Sequence, residues 1–296
     1  MGAWQLVSRL GQGSVADVYA ARPIHAGTQD TCDYAVKVLR RSLRDEPLAQ
    51  ASLRNEARAG RAISNPHVVP IFQSPTIDAG GHEAAADSSV DGTKVQFLVM
   101  PRLVGATLDR AKSRIGRMPI PHALWMARQV CEGLTAAHHD GWIHGDVKPA
   151  NVHVSMDGHA TLIDLGCAHR ADSADADTKL LLNGTIDYVA PERLTSRHQS
   201  TSASDVYSLG ISLFEMLTGR LPFNANRPAR MAEAHLREIP PSPRTFVPQI
   251  PRPVAQLLQR MLAKDTARRP HVAEELPAAL RRLEIETFDL RSWTEK

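Results

Sequence analysis

Apolar and polar residues alternate from Trp4 to Leu10, the run breaks at Gly11 and Gly13, and apolar residues return at Val15, Val18 and Tyr19. Period-two alternation on both sides of a glycine break predicts a strand, a glycine-rich turn and a second strand. YAVKVL at Tyr34 to Leu39 predicts a third strand. Pro47 to Ile63, rich in Ala, Leu, Arg and Glu, predicts a helix that stops before Asn65-Pro66. Val68 to Phe72 and Val95 to Met100 predict two more strands. Between them, Ser74 to Lys94 is dominated by Ala, Gly, Ser, Asp and His, and a long mobile loop without chemistry of its own is expected there.

After Pro101 the period changes. Leu124, Ala127, Val130, Cys131, Leu134 and Ala137 stand at helical spacing, which predicts a helix over Pro121 to Asp140. Val152 to Val154 and Ala160 to Ile163 predict two short strands turned through Asp157-Gly158, a hairpin dipeptide. Ser204 to Leu217 and Val254 to Leu262 predict further helices, and no repeat of solenoid spacing is present. The pattern is therefore α+β: a small β-rich unit with one main helix, then a larger, mostly helical unit. The change falls near residues 101–104.

Composition narrows the function classes. A chain of 296 residues accommodates about two compact units. With 43% apolar and 23% charged residues it is no disordered polymer. Lys and Arg (35) exceed Asp and Glu (32) by only three charges, which gives no nucleic-acid footprint. Cys32, Cys131 and Cys167 cannot all pair with one another and fit no metal knuckle, as expected in a reducing compartment. No apolar run approaches the roughly 20 residues of a membrane span. The first residues lack a signal peptide's basic end and apolar stretch, and Leu6 breaks the myristoylation pattern. A soluble, cytoplasmic chain is expected, without a membrane segment or a nucleic-acid partner.

Chemistry concentrates in a few segments. GQGSVA, Gly11 to Ala16, can close backbone N–H groups on phosphate oxygens, although taken alone it is equally a plain hairpin. A strand follows it rather than a helix, which disfavours a dinucleotide fold. Lys37 stands mid-strand on the face opposite Tyr34, Val36 and Val38, and Glu56 on the next helix is a suitable acid to hold its ammonium. In HGDVKPAN, residues 144–151, Asp146 is placed to accept a hydroxyl proton. Lys148 can neutralise a transferred phosphoryl group, and Asn151 offers an oxygen to a hard cation. DLG at Asp164 to Gly166 adds a carboxylate of the kind magnesium prefers.

This ordered set resembles the eukaryotic-type (Hanks-type) protein kinases, in flavour the bacterial serine/threonine kinases. The resemblance runs over about residues 4–285 and includes YAVK at 34–37, GTIDYVAPE at 184–192, DVYSLG at 205–210 and ARRP at 267–270. It implies a bilobal protein-kinase-like fold: an N-lobe over 1–100, a hinge at 101–104 and a C-lobe over 105–296, with ATP and magnesium between the lobes. Lys37, Glu56, Asp146 and Lys148 are implied as catalytic, and Asn151 and Asp164 as magnesium ligands. Leu10, Gly11, Gln12, Gly13, Ser14, Val18, Ala35, Lys37, the gatekeeper Met100, and Pro101 and Leu103 at the hinge are implied to hold the nucleotide. Glu192 with Arg269 matches a structural ion pair, Asp205 an aspartate bracing the catalytic loop, and Thr185 a residue shaping the acceptor site.

Implied partners are protein substrates with Ser or Thr acceptors, since Lys148 and the GTxxYxAPE pattern accompany that specificity. Four departures stand out. Ala16 replaces a third glycine, Pro101 lacks an N–H at the hinge, and Leu165 replaces the usual Phe. Gly145 stands where most relatives carry the Arg that docks a phosphorylated activation loop. A kinase independent of phosphorylation at Ser173 or Thr178 is therefore expected. Asp172, Asp175 and Asp177 form either a solvated acidic loop or a bias toward basic substrates, and Cys167 is either an inert filler or a thiol switch. The rival functions are a pseudokinase acting as an ATP-binding or scaffold module, and a small-molecule phosphotransferase of related fold.

Overall fold

A computed structural model describes residues 2–25, 31–77, 83–84, 95–172, 186–195 and 200–292. The chain divides into two compact units. The first comprises Met1–Ser64, Val68–Val104 and Asp164–Cys167, and the second Asn65–His67, Gly105–Ile163 and Ala168–Lys296.

The first unit is built on an antiparallel sheet. Strands β1 (Trp4–Gln12), β2 (Ala16–Pro23), β3 (Tyr34–Leu39), β4 (Thr76–Ile77), β5 (Glu83–Ala84) and β6 (Val95–Pro101) lie in the order β1-β2-β3-β6-β4-β5. Alternation gives the sheet two faces. Val36, Val38, Phe97 and Val99 point to one of them and bury with Trp4 and Ala21. Removing such side chains from water, at roughly 25 cal/mol per Å² of apolar surface, is what holds short strands together. Helix α1 (Pro47–Ala62) opens with proline in its first turn and buries Ala49, Leu53, Glu56, Ala57, Ala59 and Gly60 along one stripe.

The expected strand over Val68 to Phe72 does not form. Pro70 has no N–H for a ladder, and Val68, Val69 and Ile71 are buried as packing residues instead. Gln73 makes an isolated bridge to Val99. The sheet neighbour of β6 is β4, with Thr76 opposite Gln96, inside the stretch expected to be loop. Most of that stretch lies outside the described residues.

The second unit packs around two helices, α3 (Ile120–His139) and α4 (Ser202–Thr218), with every residue from Ser204 to Thr218 of the latter buried. Helix α2 (Leu108–Ile115) precedes them, and α5 (Pro228–Arg237), α6 (Arg252–Met261) and α7 (Glu275–Glu286) follow. Four short strands carry the site: β7 (Ala106–Thr107), β8 (Trp142–Ile143), β9 (Val152–Val154) and β10 (Ala160–Leu162). β9 and β10 form the expected hairpin, with Val152 opposite Leu162. β8 pairs with β11 (His169–Arg170). No helix among the described residues is long and apolar enough to cross a membrane, and all three cysteines are free thiols.

Candidate active site

In the first unit the strand register collects several of the nucleotide candidates. Val18 is opposite Lys37, and Ala35 is opposite Met100. Cross-strand partners share a face, so Val18, Ala35, Lys37 and Met100 lie together on the face away from the Val36–Val38 core. Leu10, Gly11 and Gln12 end β1, and the turn closes where the Gly13 N–H donates to the Ala16 carbonyl at 2.8 Å. Ser14 is exposed at its tip, whereas Ala16 is buried opposite Leu39 in β2. Pro101 is opposite Tyr34 and so belongs to the other face. Leu103 lies beyond the end of β6, half-buried.

Lys37 is not a solvent-facing lysine. Its ammonium lies 2.6 Å from Glu56 and 2.9 Å from Asp164. Burial opposes its charge, but the two carboxylates overcome that and hold its pKa above the ordinary lysine value. Glu56 sits in the buried stripe of α1 with its side chain 3% exposed. Burial pushes its carboxyl up to about 7 against the pull of Lys37. Asp164 is the non-glycine residue with positive φ among those described, at 62°. Such a conformation costs of order 1–3 kcal/mol and is kept where the surroundings enforce it. The DLG segment is tied to α1 by Ser52, whose hydroxyl donates to the Gly166 carbonyl at 3.0 Å. A Cβ on Gly166 would stand 2.4 Å from that hydroxyl oxygen, so the close approach requires glycine. Leu165 is buried, and Cys167 is half-buried.

In the second unit the loop between β8 and β9 holds Asp146, Lys148 and Asn151. Asp146 Oδ2 accepts from Asn151 Nδ2 at 2.8 Å and pairs with Lys148 Nζ at 2.8 Å. Asn151 Nδ2 also donates to the Asp146 carbonyl at 2.8 Å.

The loop backbone is held from α4. Asp205 accepts the His144 and Gly145 N–H groups at 2.9 Å each and lies 2.7 Å from His138 Nε2. Burial would raise the Asp205 pKa, but His138, His144 and the Gly145 N–H bring it down to about 2. A carboxyl depressed in the folded state adds stability above its ordinary value of 3.8 and loses it as pH falls through 2. Wild type should therefore lose about 2 kcal/mol more than Asp205→Asn between pH 5 and pH 2, read by urea titration.

The stretch after the site is firmly anchored. Arg269 grips Glu192 with two hydrogen bonds, at 2.7 and 2.8 Å, and its side chain is 1% exposed. Tyr188 donates to Glu215 at 2.6 Å. Thr185, Ser173, Thr178, Asp175 and Asp177 lie outside the described residues, and Asp172 is exposed beside Arg170. Sequence reasoning missed Ser52 and Arg193. Arg193 is buried and its Nη1 donates to the Gly145 carbonyl.

Asp164 in the first unit and Asn151 in the second each carry a hard oxygen of the kind magnesium takes. Few protein ligands supplemented by phosphate oxygens and water is the usual magnesium arrangement.

The first unit carries a buried lysine–glutamate pair, and the second carries an Asp-x-Lys-x-x-Asn loop. The chain belongs to the protein kinase family, whose protein kinase domain matches residues 4–278. It is similar to the probable serine/threonine-protein kinase pknA2 of Bifidobacterium longum, at 29% identity over 99% of this chain and 37% of that protein. Serine/threonine-protein kinase PknB of Mycobacterium leprae is 34% identical over 95% of this chain and 43% of that protein. PknH of Mycobacterium bovis is 34% identical over 94% and 43%. The chain spans about two fifths of the length of these curated relatives.

Proposed function

We propose that the chain is a protein serine/threonine kinase domain that transfers the γ-phosphate of Mg-ATP to Ser and Thr hydroxyls of protein substrates. The observation that carries this is the Asp146 carboxylate held by Lys148 and Asn151 in one loop. Lys37, Glu56 and Asp164 support it. The residues a pseudokinase commonly lacks are all present.

Lys37, oriented by Glu56, pairs with the α- and β-phosphates under the Gly11 to Ala16 turn. Leu10, Val18, Ala35 and Met100 pack the adenine, and the Leu103 N–H with the Pro101 carbonyl read its edge. Asp146 accepts the proton of the acceptor hydroxyl as its oxygen bonds to the γ-phosphorus and the bond to the β–γ bridging oxygen breaks, releasing ADP. Lys148 offsets charge on the moving phosphoryl group. Asn151 and Asp164 would hold magnesium, whose charge would offset that of the phosphates. Acceptor class is tested by labelling a mixed Ser, Thr and Tyr peptide pool and mapping the product. Label on Ser and Thr is expected, and label confined to Tyr would overturn it.

Gly145 gives the regulatory part of the proposal. It has no side chain to dock a phosphate, and its N–H is held by Asp205. Activity is therefore independent of phosphorylation of the 173–178 segment. Ser173→Ala with Thr178→Ala should keep kcat/KM within tenfold of wild type, about 1.4 kcal/mol. A larger loss in steady-state kinetics would show that a loop phosphate is needed.

A further inference from the structure

We propose that Arg193 is a positioning residue that sets the angle of the Asp146 carboxylate by holding the Gly145 carbonyl. The proposal rests on the kinase function proposed above. The peptide unit between Gly145 and Asp146 is gripped at both ends. Its carbonyl accepts from Arg193 Nη1, and its N–H donates to His144 Nδ1 at 3.2 Å. The preceding peptide unit is fixed by the Gly145 N–H to Asp205. Gly145 has φ 76°, a left-handed value that glycine adopts without a Cβ clash. The same freedom lets a glycine peptide rotate more readily than any other. An external anchor on its carbonyl therefore does work here that a side chain at 145 cannot.

Arg193 is well suited to that task. It lies in a single 3-10 turn, Pro191–Leu194, directly after Glu192, which Arg269 clamps. Its backbone N–H donates to the Ala190 carbonyl at 3.1 Å, so the side chain starts from a fixed base. Residue 193 is 7% exposed, and a charged donor in that setting makes a strong hydrogen bond. The anchor needs no added phosphate. Rotation of the 145–146 peptide would swing the Asp146 carboxylate off the acceptor hydroxyl, and errors near 1 Å at a reacting group can cost about 10²-fold.

Arg193→Met keeps the length and apolar bulk of the stem but loses the donor, and Arg193→Lys keeps a cationic donor. For Arg193→Met, kcat on a serine peptide is expected to fall at least tenfold, with KM for ATP within twofold of wild type. Hydrogen exchange of the Gly145 and Asp146 amides should quicken by at least tenfold. Arg193→Lys is expected to return kcat to within about threefold of wild type. Unchanged exchange at 145 and 146 in Arg193→Met, or a change in KM for ATP alone, overturns the proposal. So does a lysine variant no better than the methionine one with losses that track Tm. If Arg193→Met does not fold, Arg193→Gln, with a shorter neutral donor, is expected to show a twofold to tenfold gain in exchange, and wild-type exchange there is equally contradictory. Exchange is read without ATP, so an inactive wild type would sink the kinase function while the amides still decide the role of Arg193.

Discussion

Asp146→Asn is expected to lower kcat for phosphoryl transfer to a serine peptide about 10³-fold, roughly 4 kcal/mol of barrier. Asparagine has nearly the same shape and can still accept from Lys148 and Asn151, which both meet Oδ2 in the native loop. What it cannot do is take a proton. The loss should therefore fall on kcat, with KM for ATP within about threefold, because the proposed adenine and α- and β-phosphate contacts lie on the first unit. Asp205 continues to hold the His144 and Gly145 amides, so Tm should move little. A fall in ATP affinity matching the fall in rate would place Asp146 in binding rather than in proton transfer.

Lys37→Met should lower kcat/KM for ATP about 10²-fold to 10³-fold, the usual cost of removing one preorganised charge from a phosphoryl-transfer site. The ammonium meets Glu56 at 2.6 Å and Asp164 at 2.9 Å, so its loss affects three groups at once. Glu56→Gln is expected to cost less, about tenfold, since Asp164 still pairs with Lys37.

The lysine also governs a pH dependence. Glu56 is raised from 4.5 to about 7, and a carboxyl raised in the folded state contributes stability at low pH that is lost as pH rises through 7. Without Lys37, which pulls that pKa down, the decline should extend to higher pH. Urea titrations of Lys37→Met from pH 5 to pH 9 would show it, and a profile parallel to wild type would argue that Glu56 is not held by Lys37.

The sequence and the structure agree where local pattern decides the outcome. Glycines punctuate β1 and β2, Val36 and Val38 mark the core face of β3, and a long apolar stripe marks α3. Local pattern fails at Val68 to Phe72, whose composition is that of a strand but whose Pro70 cannot enter a ladder. Helices α2 and α5 escape notice because few of their residues are buried, Leu108 in one and Met231, Ala234 and His235 in the other. Helix α7 does carry Leu276, Leu280 and Leu283 at helical spacing, a local signal strong enough to mark it in the sequence.

At the site, Lys37, Glu56, Asp146, Lys148, Asn151 and Asp164 are legible as residue types in a fixed order. Their burial and pairing are not, since an exposed lysine and a clamped one look alike in a strand. Arg193 and Ser52 are invisible to any motif because each acts on a backbone carbonyl far along the chain, at Gly145 and Gly166. Such contacts exist only once the fold has brought the segments together.

The most direct test of the central claim follows ATP binding and γ-phosphate transfer together. Wild type and Asp146→Asn would be titrated with γ-labelled Mg-ATP in the presence of a serine-containing basic protein. Both should bind nucleotide, and wild type alone should move label to serine or threonine at a rate about 10³-fold above the variant. Binding in both with no transfer above the Asp146→Asn level would contradict the kinase assignment and leave an ATP-binding module in its place.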